Sequence, residues 1–253
     1  MTTTEDHNPL RTNRAVGLLV VLVLLCWAFL LAGAGMGMSI SKMSYPGIVG
    51  HRTGDAPMMD MPVAGPGPMR VLGMWWGMML AMMLPGIWTH LPPDTQAGRL
   101  PVWRLASHIA GYSVAWLGFS IAATGVQYGL VSVGLLDPMK LWSTNLILSA
   151  ALLVCAGAYQ FLPTKRQSLE SCRNMKGATP SFFAGLSYGR TCLIATTPMM
   201  GLLFVGGVMN IYWIVGLTIV VTVEKSLPSP GWFSTVAGAS LLAAAGWLLA
   251  STI

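Results

Sequence analysis

Charge is what this sequence has least of. Of its 253 residues only 8 are acidic and 14 basic, or 9% of the chain, where a soluble globular protein carries roughly 25%. So thin a charged surface excludes a water-soluble domain of any size. Cysteine is sparse as well. The four, Cys26, Cys155, Cys172 and Cys192, form no C-x-x-C; three lie in apolar runs and Cys172 in a basic loop. That spacing speaks against a disulfide framework and against a zinc site. Catalytic signatures are missing too. There is no H-E-x-x-H, no glycine-rich phosphate loop ahead of a helix and no G-x-S-x-G. Ser, His and acidic residues are too scattered for a triad, so no enzyme is expected. The formal charge of +6 would suggest nucleic acid in a soluble chain. Here it reads as basic loops on one side of a membrane.

What the chain does have is apolar sequence, 54% of it, in continuous runs of the roughly 20 residues that a helix needs to cross a bilayer. Barrel strands would alternate polar and apolar instead. The expected fold is therefore all-α, a polytopic membrane helix bundle of about seven transmembrane helices. The spans run over 15–38, 70–88, 102–130, 141–162, 182–206, 208–226 and 231–253. Residues 1–14 form a cytoplasmic tail, 15–253 a single transmembrane helical domain, and 39–69 an outer loop. Ala32-Gly33-Ala34 resembles a signal-peptidase site, but the first span reads as an uncleaved anchor. With the N-terminus inside, nine basic loop residues fall on the cytoplasmic side: Arg11, Arg14, Arg99, Arg104, Lys165, Arg166, Arg173, Lys176 and Lys225. Only Lys42, Arg52, Arg70 and Lys140 fall outside. The asymmetry predicts N-in, C-out.

Interior contacts are predicted from spacing. Arg190 and Glu224 lie equally far in sequence from Gly207, so an antiparallel hairpin places them at one depth. An intramembrane charge is costly unless paired, and an Arg190–Glu224 ion pair is expected, as a structural clip or part of a site. Gly73, Gly77 and Ala81 make one small-residue seam. Gly111, Ala115, Gly118, Ala122 and Gly125 make another. His108, Gln127, Gln160 and Asn210 read as interhelical hydrogen bonders.

Methionine is the outlier. Twelve of the 18 methionines fall between Met36 and Met83. Met36, Met38 and Met43 stand at the outer end of the first span. Met58, Met59 and Met61 stand in a polar, turn-rich loop with His51 and Asp60 nearby. Thioether is a soft, neutral ligand suited to Cu(I), and it survives an oxidising compartment without forming disulfides. These six methionines with His51 are the candidate copper ligands. The competing reading is packing, against the chain itself or a partner, since methionine fills irregular gaps well. For Met74, Met78, Met79, Met82 and Met83 of the second span, packing is the better reading.

Several segments together resemble a known family. They are M-W-W-G-M-M-L-A-M-M-L-P from Met74, A-G-Y-S-V-A-W from Ala110, A-G-A-Y-Q-F-L-P-T-K-R from Ala156, E-S-C-R from Glu170, G-L-S-Y-G-R-T-C from Gly185, G-V-M-N-I-Y-W from Gly207, and the pair Glu224-Lys225. Their order and spacing are similar to the bacterial integral membrane proteins labelled "predicted metal-binding", which carry a domain-of-unknown-function name. The resemblance implies a multi-pass protein of the bacterial inner (cytoplasmic) membrane with a metal-binding role, and no particular activity. The family often continues after the cysteine with a Gly-Cys-Cys-like cluster, where this chain has Ala195, Thr196 and Thr197. If those thiols are the family's ligands, a metal role here shifts towards methionine or away from metal altogether.

The expected function is a non-catalytic accessory subunit, or a Cu(I)-handling partner, of a copper-dependent membrane enzyme complex. A purely structural subunit is the alternative from another class. A stand-alone metal transporter is a third, disfavoured because no inverted repeat and no pair of broken helices at matching positions is visible. Expected partners are the lipid bilayer and other membrane subunits, with neither nucleic acid nor a soluble substrate.

Overall fold

A computed structural model describes residues 9–35, 44, 66–90, 101–136, 143–174, 179–227 and 231–250. Apart from one isolated bridge between Leu136 and Ser143, these residues are helical or connecting. The helices are α1 (Pro9–Leu31), α2 (Pro68–Met83), α3 (Val102–Ser132), α4 (Leu146–Tyr159), α5 (Pro163–Asn174), α6 (Phe182–Gly201), the short α7 (Leu203–Gly206), α8 (Ile211–Ser226) and α9 (Gly231–Ala250). A 3-10 turn, Leu84–His90, follows α2.

Helix starts follow local chemistry. Asn145 caps α4 by accepting from the amides of Ile147 and Leu148. Ser181 caps α6 through Ala184, and Asn210 caps α8 through Tyr212. Each satisfies a donor that a helix start leaves orphaned. Pro68 and Pro163 open α2 and α5, where a missing N–H costs nothing.

Among the described residues, four helical stretches are long and apolar enough to cross a membrane: Pro68–Ile87, Val102–Ser132, Phe182–Gly206 and Gly231–Ala250. A fifth is added if α4 and α5, bent by 64°, count as one broken span. Burial agrees with a bilayer setting. Phe183, Ile147, Trp232 and Trp247 face outward, while Lys165, Glu224, Lys225, Gln127 and Asn210 are buried. Apolar outside and ionisable inside reverses a soluble protein's arrangement and suits lipid. The described residues are helical throughout apart from connections, with several helices that could span a membrane.

Glycine lets the helices cross closely. A Cβ on Gly111 of α3 would strike the Phe182 carbonyl of α6, one on Gly185 would strike that of His108, and one on Gly189 would strike the Ala115 side chain. Gly157 of α4 and Gly238 of α9 each face the other's carbonyl oxygen. The expected α3 seam is thus used only in part. Gly111 and Ala115 pack on α6, whereas Gly118, Ala122 and Gly125 turn outward. On α2, Gly77 receives the ring of Phe29 from α1, and Met74, Met78, Met79, Met82 and Met83 are core.

Pro198 lies inside α6. It has no N–H to give the carbonyl four residues back, that of Ile194. The Tyr159 hydroxyl at the end of α4 donates to that carbonyl at 2.6 Å. An orphaned carbonyl in lipid costs several kcal/mol, so neighbouring groups re-satisfy it. Tyr159→Phe is expected to lower stability by about 1–3 kcal/mol, read as thermal unfolding in detergent. An unchanged midpoint would show that the carbonyl needs no partner.

Several expectations need correction. The 166–176 segment, placed in a loop, is largely helix α5. Its inner face, Lys165, Ser168, Leu169 and Cys172, is buried, and Arg166, Gln167, Glu170 and Ser171 are exposed. Cys172 is therefore no loop cysteine. Lys165 and Lys225, counted among the nine inner-loop cations, are both interior, because each finds polar or sulfur partners inside the bundle. The expected Arg190–Glu224 pair is not formed. Glu224 is bonded elsewhere, and Arg190 lies exposed on the outer side of α6. At about 100° per residue, Arg190 points roughly 200° away from the buried Cys192. Equal sequence distance from Gly207 gave depth but not azimuth. α8 also leans on α2 more than on α6, so the two helices are no tight hairpin.

Candidate metal centre

The charged residues that the bundle buries converge near one end of it. There the last turns of α2 and α8 meet the first turns of α5 and α9. Two ammonium groups anchor the convergence, each in a different setting.

Lys165 enters from the first turn of α5, just past the bend. Its Nζ pairs with Glu224 Oε1 at 2.7 Å, with both side chains almost fully buried. It also donates to Gln160 Oε1 at the end of α4 and lies 3.9 Å from Met199 Sδ of α6. Ser234 Oγ of α9 donates to the same Glu224 oxygen at 2.6 Å. The second oxygen, Glu224 Oε2, is buried without a hydrogen-bond partner among the described residues. This half of the centre is built from oxygen.

Lys225, the next residue of α8, reaches the other way into sulfur. Its Nζ lies 2.6 Å from Cys192 Sγ of α6 and 3.5 Å from Met83 Sδ at the end of α2. The Tyr112 hydroxyl of α3 is 3.4 Å from the same Cys192 sulfur, and its ring stacks on Tyr188 at 5.5 Å. Cys172, on the inner face of α5, is in electrostatic reach of both Cys192 and Lys225. Met83, Cys172 and Cys192 are each at most 1% exposed. Cys192 and Met83 thus hold a buried monovalent cation, with Cys172 within electrostatic reach of it.

The donor chemistry decides which metal suits the place. Among the described residues no three His, Cys, Asp or Glu side chains group as a metal site, so the carboxylate and imidazole sets of zinc or iron are not assembled here. Thiol and thioether are soft donors that favour Cu(I), which accepts low coordination by sulfur. The sulfur half fits that ion.

Of the sequence-derived candidates, Met36, Met38, Met43, His51, Met58, Met59 and Met61 lie outside the described residues. Glu224 is in the centre and Arg190 is not. The sequence reading missed Cys192, Cys172, Met83, Lys165, Lys225 and Tyr112 as one group. One signal was available. Lys225 lies within the predicted sixth span, and an ionisable residue inside a span marks a functional site by default. Gln127 bonds across helices as expected, to the indole of Trp75 at 2.6 Å, whereas the Asn210 bond to the Gly206 carbonyl at 2.9 Å is local to the turn ahead of α8.

No curated protein and no solved structure matches this chain. A protein-family model does, over residues 72–248, and its description is PpoB2, copper chaperone. The matched stretch takes in most of the chain and every side chain of the centre, from Met83 to Ser234. A family whose description names copper and a buried sulfur cluster that suits Cu(I) point the same way, and the chain belongs to the PpoB2 copper chaperone family.

Proposed function

We propose that this protein is a non-catalytic membrane carrier of Cu(I) that serves a copper-dependent enzyme in the same membrane. The observation that carries the reading is the buried pair of sulfurs, Met83 Sδ and Cys192 Sγ, which already share one monovalent cation, the Lys225 ammonium. Cysteine ligates copper as thiolate and methionine as neutral thioether, so the pair, with Cys172 nearby, offers Cu(I) a soft seat. In the N-in arrangement of seven spans, the centre lies towards the cytoplasmic end and the methionine-rich loop on the outer face. Met36, Met38, Met43, Met58, Met59, Met61 and His51 would capture copper there, and Met83 with Cys192 would hold it within the bundle.

One observation favours a second reading, a transporter. The 64° break between α4 and α5 and the proline in α6 resemble the interrupted helices that line membrane transport sites. Carrier and transporter share the sulfur seat and differ in whether copper leaves on the opposite side.

The test is anaerobic titration of the purified protein with Cu(I), followed by X-ray absorption at the copper edge. A first shell of sulfur is expected. A shell of nitrogen and oxygen alone would sink the proposal. Replacing Met58, Met59 and Met61 together by leucine, a swap that typically costs less than about 1.5 kcal/mol, should slow loading of intact membranes. The sulfur shell of the purified protein should stay unchanged. If loading proceeds at the wild-type rate, the loop is no copper catcher.

A further inference from the structure

We propose that the Lys225 ammonium is a tethered competitor for the copper seat: Cu(I) binds by displacing it, and its return helps to expel the metal. The inference rests on the reading of Met83 and Cys192 as the seat, and it adds how that seat is emptied.

The setting of Lys225 differs from that of Lys165 in one telling way. Lys165 has a carboxylate and an amide oxygen to replace the water it lost. The hydrogen bonds of the Lys225 ammonium go to a thiol and a thioether, both weak acceptors. A buried cation normally sits on oxygen or is paired. This one sits where a soft cation has better ligands than it does. The carboxylate of the neighbouring Glu224 is already bonded to Lys165 and Ser234.

Occupancy must be exclusive. Cu(I) needs the same sulfur lone pairs and the same volume, and two unit positive charges at contact repel strongly in a low dielectric. Exchange, by contrast, puts one monovalent cation in place of another, and the Cys192 thiol proton leaves for solvent as the thiolate forms on copper.

The displaced group has somewhere to go. Lys225 stands in the last turn of α8, beside the exposed Ser226. Its stem runs past Gly86 of the 3-10 turn, where a Cβ would lie 3.7 Å from the Lys225 Cδ. A four-carbon stem at a helix end can carry its head out to water. The C-terminal carbonyls of α8 would receive the charge there.

A carrier must bind copper and still give it up. A cation tethered at the mouth of the seat lets release proceed without exposing two bare sulfurs and an unneutralised interior.

The test uses the purified full-length chain, titrated with Cu(I) against a chromophoric Cu(I) chelator. Lys225→Leu removes the competitor without adding a sulfur and should tighten binding by about tenfold or more. Lys225→Arg keeps the charge and should not tighten it. In the wild-type protein, acetylation of the Lys225 amine, read by mass spectrometry, should rise when Cu(I) is loaded. Equal or weaker binding by Lys225→Leu overturns the proposal. If that variant does not fold, the acetylation measurement decides, and an unchanged level overturns it. Should the wild type bind Cu(I) no better than Cys192→Ser, the seat itself is wrong and both readings fall. With Cys192-dependent binding intact and no tightening in Lys225→Leu, only the competitor falls.

Discussion

Cys192→Ser is expected to weaken Cu(I) binding by about 100-fold or more. Loss of a hydrogen-bonding partner behind a metal ligand already costs about 10–100-fold, and Cys192 is the sulfur at the hub. It touches Lys225 and Tyr112 and is itself fully buried. Serine keeps the size of the side chain and offers a hard oxygen in place of a soft sulfur. Assembly should survive, because a hydroxyl can still accept from Lys225 and exchange a hydrogen bond with Tyr112. Chelator competition on the purified variant is the measurement. Affinity within a few-fold of wild type would remove Cys192 from the seat, and copper would then have to be held elsewhere, the outer methionine loop being the first place to look.

Breaking the Lys165–Glu224 pair is expected to have the largest effect on stability. Both side chains are buried to within 1%. Removing one partner strands the other charge in a low dielectric, at a cost of about 3–5 kcal/mol. Lys165→Met and Glu224→Gln should therefore each unfold early in detergent. The double variant should recover most of the loss, since replacing a buried ion pair by uncharged groups of similar volume is often neutral. Ser234 still has an amide oxygen to donate to in Glu224→Gln. A double variant as unstable as the sum of the two singles would mean that the charges act independently and that the pair is no clasp between α5 and α8.

Sequence patterning showed the class of fold and several contacts, for reasons visible in particular residues. Continuous apolar runs set the helices, and the limits of α6 and of α9 follow the predicted spans closely. Gly111 and Ala115 were legible as a packing seam because small residues at helical spacing have few other uses in lipid. The centre was not legible as a unit. Lys165 looked like a loop cation because Pro163 and its charged neighbours end an apolar run. Only the bend at Gln160–Leu162 turns that residue inward. Glu224 was recognised as needing a partner but given Arg190, because sequence distance measures depth along a helix and not the face it presents. Cys172 and Cys192, 20 positions apart in the chain, come within electrostatic reach through the packing of α5 on α6, which no one-dimensional spacing encodes.

The centre also sets an order of events during synthesis. Its contacts join residues as far apart as Met83 and Lys225, separated by 142 positions, and the last group to arrive is Ser234 at the start of α9. A chain still leaving the ribosome has the first sulfur in the bilayer long before the second. It has both lysines and Glu224 before the hydroxyl that holds that carboxylate. No partly inserted intermediate therefore carries the complete sulfur pair until α6 has entered. The Lys225 ammonium that shares those sulfurs arrives later still, with α8, so the growing chain brings both sulfurs into the bilayer before the cation that competes for them.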